Sequence, residues 1–298
     1  MTYFLKSLLG ISRGPFLVLP VTLVAAGGAA AAYGREGAFL WSRTLMALVG
    51  LVAAHVAVNA LNEASDMRTG IDLDTTRTPF SGGSGTLPGG ALSIRIAYAF
   101  GIAALAVAIA VGVFFLFKVG WVLLPLILFG TLSILTYTRV LTRVGLGELV
   151  AGMGLGGLPV IGVCLVQDGR LTAAAIAAAV PATLMTFNLL LLNEFPDVEA
   201  DRGGGRRNLV LLLGRVRAAR VYVLAAVATP ATVIVAVVLG ALPPLTLLAG
   251  LPTLAVVPAI RWALADPEDP VPIPALGGNV IWNLATNTMM AAGLLLAM

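Results

Sequence analysis

Two short stretches of the chain share an order of polar residues that suits metal chemistry. The first reads Asn62-Glu63-Ala64-Ser65-Asp66 and continues through Gly70-Ile71 to Asp72. The second reads Asn193-Glu194-Phe195-Pro196-Asp197 and continues to Asp201. On a helix, positions four apart share a face, so Asn62 and Asp66 point one way, as do Asn193, Asp197 and Asp201. Carboxylates aimed at one space repel unless a cation lies between them. The chain's lone cysteine, Cys164, and lone histidine, His55, exclude an internal disulfide and a cysteine or histidine-rich metal site. What remains is a set of hard oxygen ligands. That set suits magnesium, which takes one or two carboxylates, keeps waters and binds substrate phosphates. Two such clusters facing each other could hold two or more magnesium ions and clamp a diphosphate. A pair of hydrated acidic loops is the plainer reading of either cluster alone, but their matching order speaks against it.

The composition names the solvent in which these clusters are held. Hydrophobic residues make up 59% of the 298 residues and charged residues 11%, against roughly 25% charged in soluble domains. So few charges cannot cover a water-soluble globule of this size. That excludes a cytosolic enzyme, a nucleic-acid-binding module and a disordered chain. The apolar runs are long and continuous, which disfavours a transmembrane barrel. The sequence therefore predicts an all-α integral membrane protein.

A bilayer-crossing helix needs about 20 mostly apolar residues, and nine segments are read as spans: Phe16–Tyr33, Ser42–Leu61, Ser93–Phe117, Trp121–Thr138, Leu149–Val166, Thr172–Leu192, Ala218–Gly240, Leu245–Leu264 and Asn279–Ala297. They form one domain over residues 1–298, with the acidic motifs in loops at about 62–92 and 193–217. The motifs follow the second and sixth spans, which suggests two pseudo-repeated halves facing each other. The run Gly152-Met153-Gly154-Leu155-Gly156-Gly157 lies inside a span and reads as close helix packing. Met1 to Arg13 lacks the apolar core of a cleavable signal peptide. With the N-terminus cytoplasmic, every one of the 18 basic residues except Arg35, Arg43, Lys118 and Arg170 falls on the cytoplasmic side, as the positive-inside rule requires. Both acidic clusters fall on that side too.

Several basic residues could therefore meet the acids. Arg77, Arg139, Arg143, Arg206 and Arg207 share their side, and arginine presents a planar fork suited to phosphate oxygens. Topology signalling is the alternative, and it suits several of them. Arg206 is the best candidate, since it follows Asp201 within a short loop. The polar segment from Arg77 to Gly85 could close over a substrate or simply connect two spans. Glu148 could orient or deprotonate a substrate, or serve only as a carboxylate at a helix start. His55 reads as a general base or an interhelical hydrogen-bond partner. Asp74 and Glu199 read as solvent-facing.

Together these residues resemble the membrane-embedded aromatic prenyltransferases of the UbiA superfamily, over nearly the whole chain. Asp197-Val198-Glu199-Ala200-Asp201-Arg202, with Arg206 following, is similar to the family's D-x-x-x-D and trailing basic residue. The first motif departs from the commonest form, N-D-x-x-D-x-x-x-D: Glu63 replaces the first aspartate, Gly70 stands where the last would be, and Asp72 comes two residues later. That longer spacing resembles the branch that prenylates dihydroxynaphthoate for menaquinone. So do Tyr137-Thr138, Gly145-Leu146-Gly147-Glu148-Leu149 and Asn279-Val280. The resemblance implies nine helices around a central cavity, capped at its cytoplasmic mouth. It implies Mg2+ as cofactor, with a polyprenyl diphosphate and an aromatic or quinone-precursor acceptor as substrates. Asn62, Asp66, Asp72, Asp197 and Asp201 would be metal ligands, the four aspartates being the catalytic carboxylates. Asn62, Arg77, Arg139, Arg143, Asn193 and Arg206 would meet the diphosphate. Met153, Met185 and Phe187 could line the cavity. The expected place is a prokaryotic cytoplasmic membrane, with no nucleic-acid partner and the oligomeric state open.

Two rivals remain. A terpene cyclase would use the same motifs, with a double bond of the same chain capturing the cation. A transporter would more naturally place its acids at the bilayer midplane within broken helices, whereas here they follow the ends of spans on one side.

Overall fold

The structure is a computed structural model that describes residues 2–33, 35 and 37–298, and all regular elements among these are helical. α1 (Thr2–Ile11) leads through a short 3-10 turn into α2 (Val18–Tyr33). α3 (Trp41–Thr69) and the single-turn α4 (Ile71–Asp74) carry the first motif. α5 (Ile94–Val119) and α6 (Leu124–Thr136) follow. α7 (Gly147–Gly152) passes through a π turn (Met153–Gly157) into α8 (Leu158–Asp168). α9 (Ala173–Gly203) carries the second motif. α10 (Leu209–Leu213), α11 (Arg215–Val238), a 3-10 run (Pro244–Val256), α12 (Val257–Ala265) and α13 (Ile273–Leu295) complete the chain.

Seven stretches among the described residues are long and apolar enough to cross a membrane: Gly14–Tyr33, Trp41–Thr69, Ile94–Val119, Gly147–Asp168, Ala173–Gly203, Arg215–Val238 and Pro244–Ala265. Two of the nine segments read from the sequence fall short of that standard. Trp121–Thr136 is apolar but shorter. α13 has the length, but Asn279, Asn283 and Asn287 lower its hydropathy, and all three are buried. Their burial has a purpose in the packing. Tyr222 donates from its hydroxyl to Asn279 Oδ1 at 3.1 Å, Asn279 Nδ2 donates to the Asn188 carbonyl at 3.0 Å, and Asn188 Nδ2 donates to the Tyr222 carbonyl at 3.0 Å. This ring ties α9, α11 and α13 together and satisfies polar groups that lipid could not.

The motifs are not in loops. α3 continues past Leu61 to Thr69, and α9 continues past Leu192 to Gly203, so Asn62–Asp66 and Asn193–Asp201 occupy the last turns of two long helices. In the first motif Asn62 Nδ2 donates to Asp66 Oδ2 at 2.8 Å across one turn, while Ala64 on α3 and Phe195 and Val198 on α9 bury the opposite faces of these turns. Gly70, at φ 86°, then ends α3 in the left-handed region, which a residue with a Cβ would enter only under strain.

Small residues set the helix spacing. Ala26, Ala29, Ala30, Ala175, Ala178 and Ala182 form much of the core between α2 and α9. Gly152, Gly156 and Gly157 lie on α9, as the glycine run suggested. A Cβ on Gly152 would sit 2.9 Å from the Thr183 carbonyl oxygen, and one on Gly156 would collide with the Ala182 carbonyl oxygen. Gly154 faces the other way, with Phe129 Cε1 as its nearest neighbour at 3.6 Å. Gly156→Ala should therefore destabilise the protein by about 1–3 kcal/mol through overpacking. Gly154→Ala should be neutral or stabilising, because alanine is the better helix former by roughly 1 kcal/mol. Thermal unfolding of the two variants in detergent checks this, and equal midpoints would contradict it.

Candidate active site

The last turns of α3 and α9 open on one pocket, lined by Asn62, Asp66, Asp72, Asn193, Asp197 and Asp201 together with Arg206. Arg206 fills the gap between the two motifs. Its Nη2 donates to Asp66 Oδ1 at 2.5 Å and its Nη1 to Asp201 Oδ1 at 2.8 Å, with a longer bond to Asn62 Oδ1 at 3.4 Å. Asn208 Nδ2 donates to Asp201 Oδ2 at 2.8 Å, while Asn208 Oδ1 caps α10 by accepting from the Leu211 N–H at 2.9 Å. Burial works against the charge of Arg206, but Asp66 and Asp201 outweigh it and hold its pKa above the ordinary arginine value.

Asp72 and Asp197 are not neutralised in this way. Asp72 Oδ2 and Asp197 Oδ1 are buried without a hydrogen-bond partner. Burial pushes the Asp72 carboxyl up to about 7, and the nearby Asp66 and Glu63 charges add to the rise against the pull of Arg13 and Arg206. Buried acceptor atoms that lack donors are what a hard cation satisfies. Among the described residues, no three Asp, Glu, His or Cys side chains converge closely enough to hold one ion by themselves. A cation here would take one or two carboxylates and complete its shell with water, asparagine or phosphate oxygens. That is the coordination magnesium favours, so the residues fit it.

The segment after α4 lies over this pocket. Phe80, Ser81, Gly82 and Gly83 line it. Gly83, at φ 73°, lets the backbone press on Asp72: a Cβ there would sit 2.8 Å from Asp72 Oδ1. The segment is held by Glu63. Glu63 Oε1 accepts from the Ser84 N–H at 2.6 Å and from Arg13 Nε at 3.3 Å, and Oε2 accepts from Ser84 Oγ at 2.7 Å. Asp74 and Glu199 face solvent, as read from the sequence.

Three arginines stand elsewhere than their expected place at the diphosphate site. Arg77 turns to the backbone, donating to the Asp72 carbonyl at 3.0 Å. Arg139 and Arg143 are exposed and line a separate recess with Arg68 and Tyr98. They follow α6 in the chain, so the membrane face expected for them alongside the acids did not bring them to the pocket. Conversely, Arg13 lines the pocket although its sequence position suggested only a topology signal. It adopts a left-handed conformation, φ 51°, where the chain turns into α2. A basic residue next to a sharp turn before the first span was the available signal.

A family model described as the UbiA prenyltransferase family matches residues 18–284. The chain belongs to the UbiA prenyltransferase family. Among its relatives, 1,4-dihydroxy-2-naphthoate octaprenyltransferase of Bacillus subtilis (strain 168) is 26% identical over 162 residues, covering 53% of this chain and 51% of that protein. UbiA prenyltransferase domain-containing protein 1 of Xenopus tropicalis is 31% identical over 202 residues, covering 66% and 56% respectively. The chain thus spans about half the length of these curated relatives. A solved UbiA homolog from Archaeoglobus fulgidus, bound to DMAPP and Mg2+, superposes with a TM-score of 0.65 at 15% identity, covering 98% of this chain and 100% of that one. At that identity the match establishes the UbiA fold.

The Arg206 bridge makes a direct prediction. Arg206→Met should leave Asp66 and Asp201 facing each other without a counter-charge and lower stability by about 3–5 kcal/mol. Thermal unfolding near neutral pH measures the loss, and an unchanged midpoint would show that the bridge contributes nothing.

Proposed function

We propose that this chain is a magnesium-dependent intramembrane prenyltransferase, moving a polyprenyl group from its diphosphate to an aromatic or quinone-precursor acceptor. The observation that carries the reading is the meeting of two matched acidic helix ends in one pocket, where buried carboxylate oxygens of Asp72 and Asp197 lack partners. The name of the Bacillus relative, a naphthoate prenyltransferase, supports the acceptor class. The DMAPP and Mg2+ in the Archaeoglobus homolog support the donor and the cofactor.

In this mechanism Asn62, Asp66, Asp72, Asp197 and Asp201 would hold the metal, and Asn193, Arg206 and Arg13 would meet the diphosphate. Magnesium, when bound, supplies positive charge that stabilises the departing diphosphate. Arg206 offers its planar fork to the same oxygens as the allylic C–O bond breaks. The walls farther from the motifs include Leu19, Val58, Leu155, Leu189 and Leu284. They accommodate hydrocarbon and exclude water that would otherwise trap the allylic cation. We further infer that residues 1–298 act as one domain in a prokaryotic cytoplasmic membrane. Its nine helices would span the bilayer, with the N-terminus and the pocket mouth on the cytoplasmic side. The one-sided placement of basic residues supports that orientation.

Asp66→Ala and Asp197→Ala should each abolish turnover while the protein still folds in detergent, and excess EDTA should do the same to the unaltered chain. The assay is mass spectrometry of products from prenyl diphosphates of several lengths with Mg2+, run with and without aromatic acceptors. Full activity in both variants, or in EDTA, would eliminate the metal-clamp mechanism. A cyclic hydrocarbon formed without acceptor would replace the transferase reading with a cyclase.

A further inference from the structure

The same pocket holds two carboxyls that the diphosphate chemistry does not use. Glu148, at the start of α7, is 0% exposed, and Glu194, on α9, is 9% exposed. Both line the pocket, and their side chains lie within hydrogen-bonding reach of each other. Glu148 Oε1 accepts from the Leu209 N–H that opens α10. The other oxygen of each, Glu148 Oε2 and Glu194 Oε2, is buried with no partner. A carboxylate can only accept hydrogen bonds, and buried acceptors left unpaired are costly. Two of them facing each other call for a donor placed between them.

Apart from a proton that the two glutamates could share between them, the surroundings do not provide that donor. Arg206 is committed to Asp66 and Asp201, and Asp201 is another acceptor. Tyr137 lines the pocket, but neither glutamate receives a bond from its hydroxyl. A diphosphate is itself acceptor-rich. Nearby on the pocket wall, His55 engages the Leu51 carbonyl through Nδ1 at 3.0 Å, and its Nε2 is likewise unpartnered. An aromatic ring bearing hydroxyls has the matching chemistry, with O–H donors at its edge and an apolar body for the leucine walls.

We propose that Glu148 and Glu194 form the subsite that receives a hydroxyl of the aromatic acceptor. The proposal rests on the transferase reading of this pocket and goes beyond it by naming the groups that select and orient the second substrate. A hydroxyl anchored between two carboxyl oxygens fixes the ring relative to the allylic carbon, and such orientation lowers the barrier to carbon–carbon bond formation.

The test uses the full chain with Mg2+, geranyl diphosphate and 1,4-dihydroxy-2-naphthoate as probe. Glu148→Gln keeps the bond to Leu209 through its amide oxygen, and Glu194→Gln provides a second, independent variant should the first not fold. Each should raise the KM for the naphthoate about tenfold to a hundredfold, the loss expected for a hydrogen bond to a charged group. The KM for geranyl diphosphate should stay within about twofold, which also reports an intact pocket. Calorimetric affinity for the naphthoate alone should fall in parallel. The dimethyl ether of the probe, which has no O–H, should bind the unaltered chain weakly and the variants no worse. Unchanged naphthoate KM and affinity in both variants would overturn the subsite. So would equal binding of the dihydroxy and dimethoxy probes by the unaltered chain, the result expected if the glutamates merely share a proton with each other. Failure of the transferase reading looks different: the unaltered chain releases diphosphate yet makes no acceptor-dependent product, and the subsite falls with it.

Discussion

The pocket depends on one guanidinium. Four aspartates line a single space at the ends of α3 and α9, and without an internal cation their mutual repulsion would splay those ends apart. Arg206 reaches both motifs at once, with hydrogen bonds to Asp66 and Asp201. Its own backbone is fixed by the bond from the Arg206 N–H to the Asp201 carbonyl at 2.9 Å, and that of its neighbour by the bond from the Arg207 N–H to the Thr142 carbonyl at 2.7 Å. Removing one partner of such a buried charge set is far costlier than the set is stabilising. The arrangement is therefore better understood as a preformed anion-and-cation site than as a source of stability.

The charge balance also divides the acids by task. Asp66 and Asp201 are satisfied within the protein, whereas Asp72 and Asp197 each keep a buried oxygen without a partner. Of the four, the second pair has oxygens free for a cation. In the proposed function a diphosphate would compete for the fork of Arg206, since one planar guanidinium serves carboxylate and phosphate alike. The ends of two helices from opposite halves of the chain thus act as one surface, positioned by the alanine and glycine contacts that bring α2, α7 and α8 against α9.

Much of this was legible in the sequence, and the exceptions have physical causes. The repeated N-E-x-x-D order located the motif residues because a four-residue spacing on a helix leaves little freedom in where side chains point. The glycine run was readable as packing for a similar reason: it lay within an apolar stretch. Arg206 was legible from its place soon after Asp201, but the other arginines were not, since charge sidedness assigns a membrane face but not a position on it. Arg139 and Arg143 share that face and line a different recess, while Arg13 enters the pocket through a left-handed turn. α13 was read as the ninth span, but the role of its asparagines was hidden. Its asparagines lower its hydropathy, yet they serve the interior, and only the partners on α9 and α11 reveal that.

The two departures of the first motif from the commonest family pattern form one linked solution. Gly70 ends α3 in the left-handed region before a further aspartate could be presented on the same helix face. Asp72 then arrives from the separate turn α4, where the lack of a side chain at Gly83 leaves room for its carboxylate. The Gly83 backbone needs an anchor, and Glu63 provides it through both oxygens, bonding the Ser84 N–H and hydroxyl as well as Arg13. Glutamate carries one more methylene than aspartate, and it is turned away from the pocket. The carboxylate lost as a ligand candidate at position 63 thus becomes the clasp for the segment beside Asp72. A substitution that looks like a defect when the motif is read alone is, in three dimensions, the anchor of the segment that lies over the displaced aspartate.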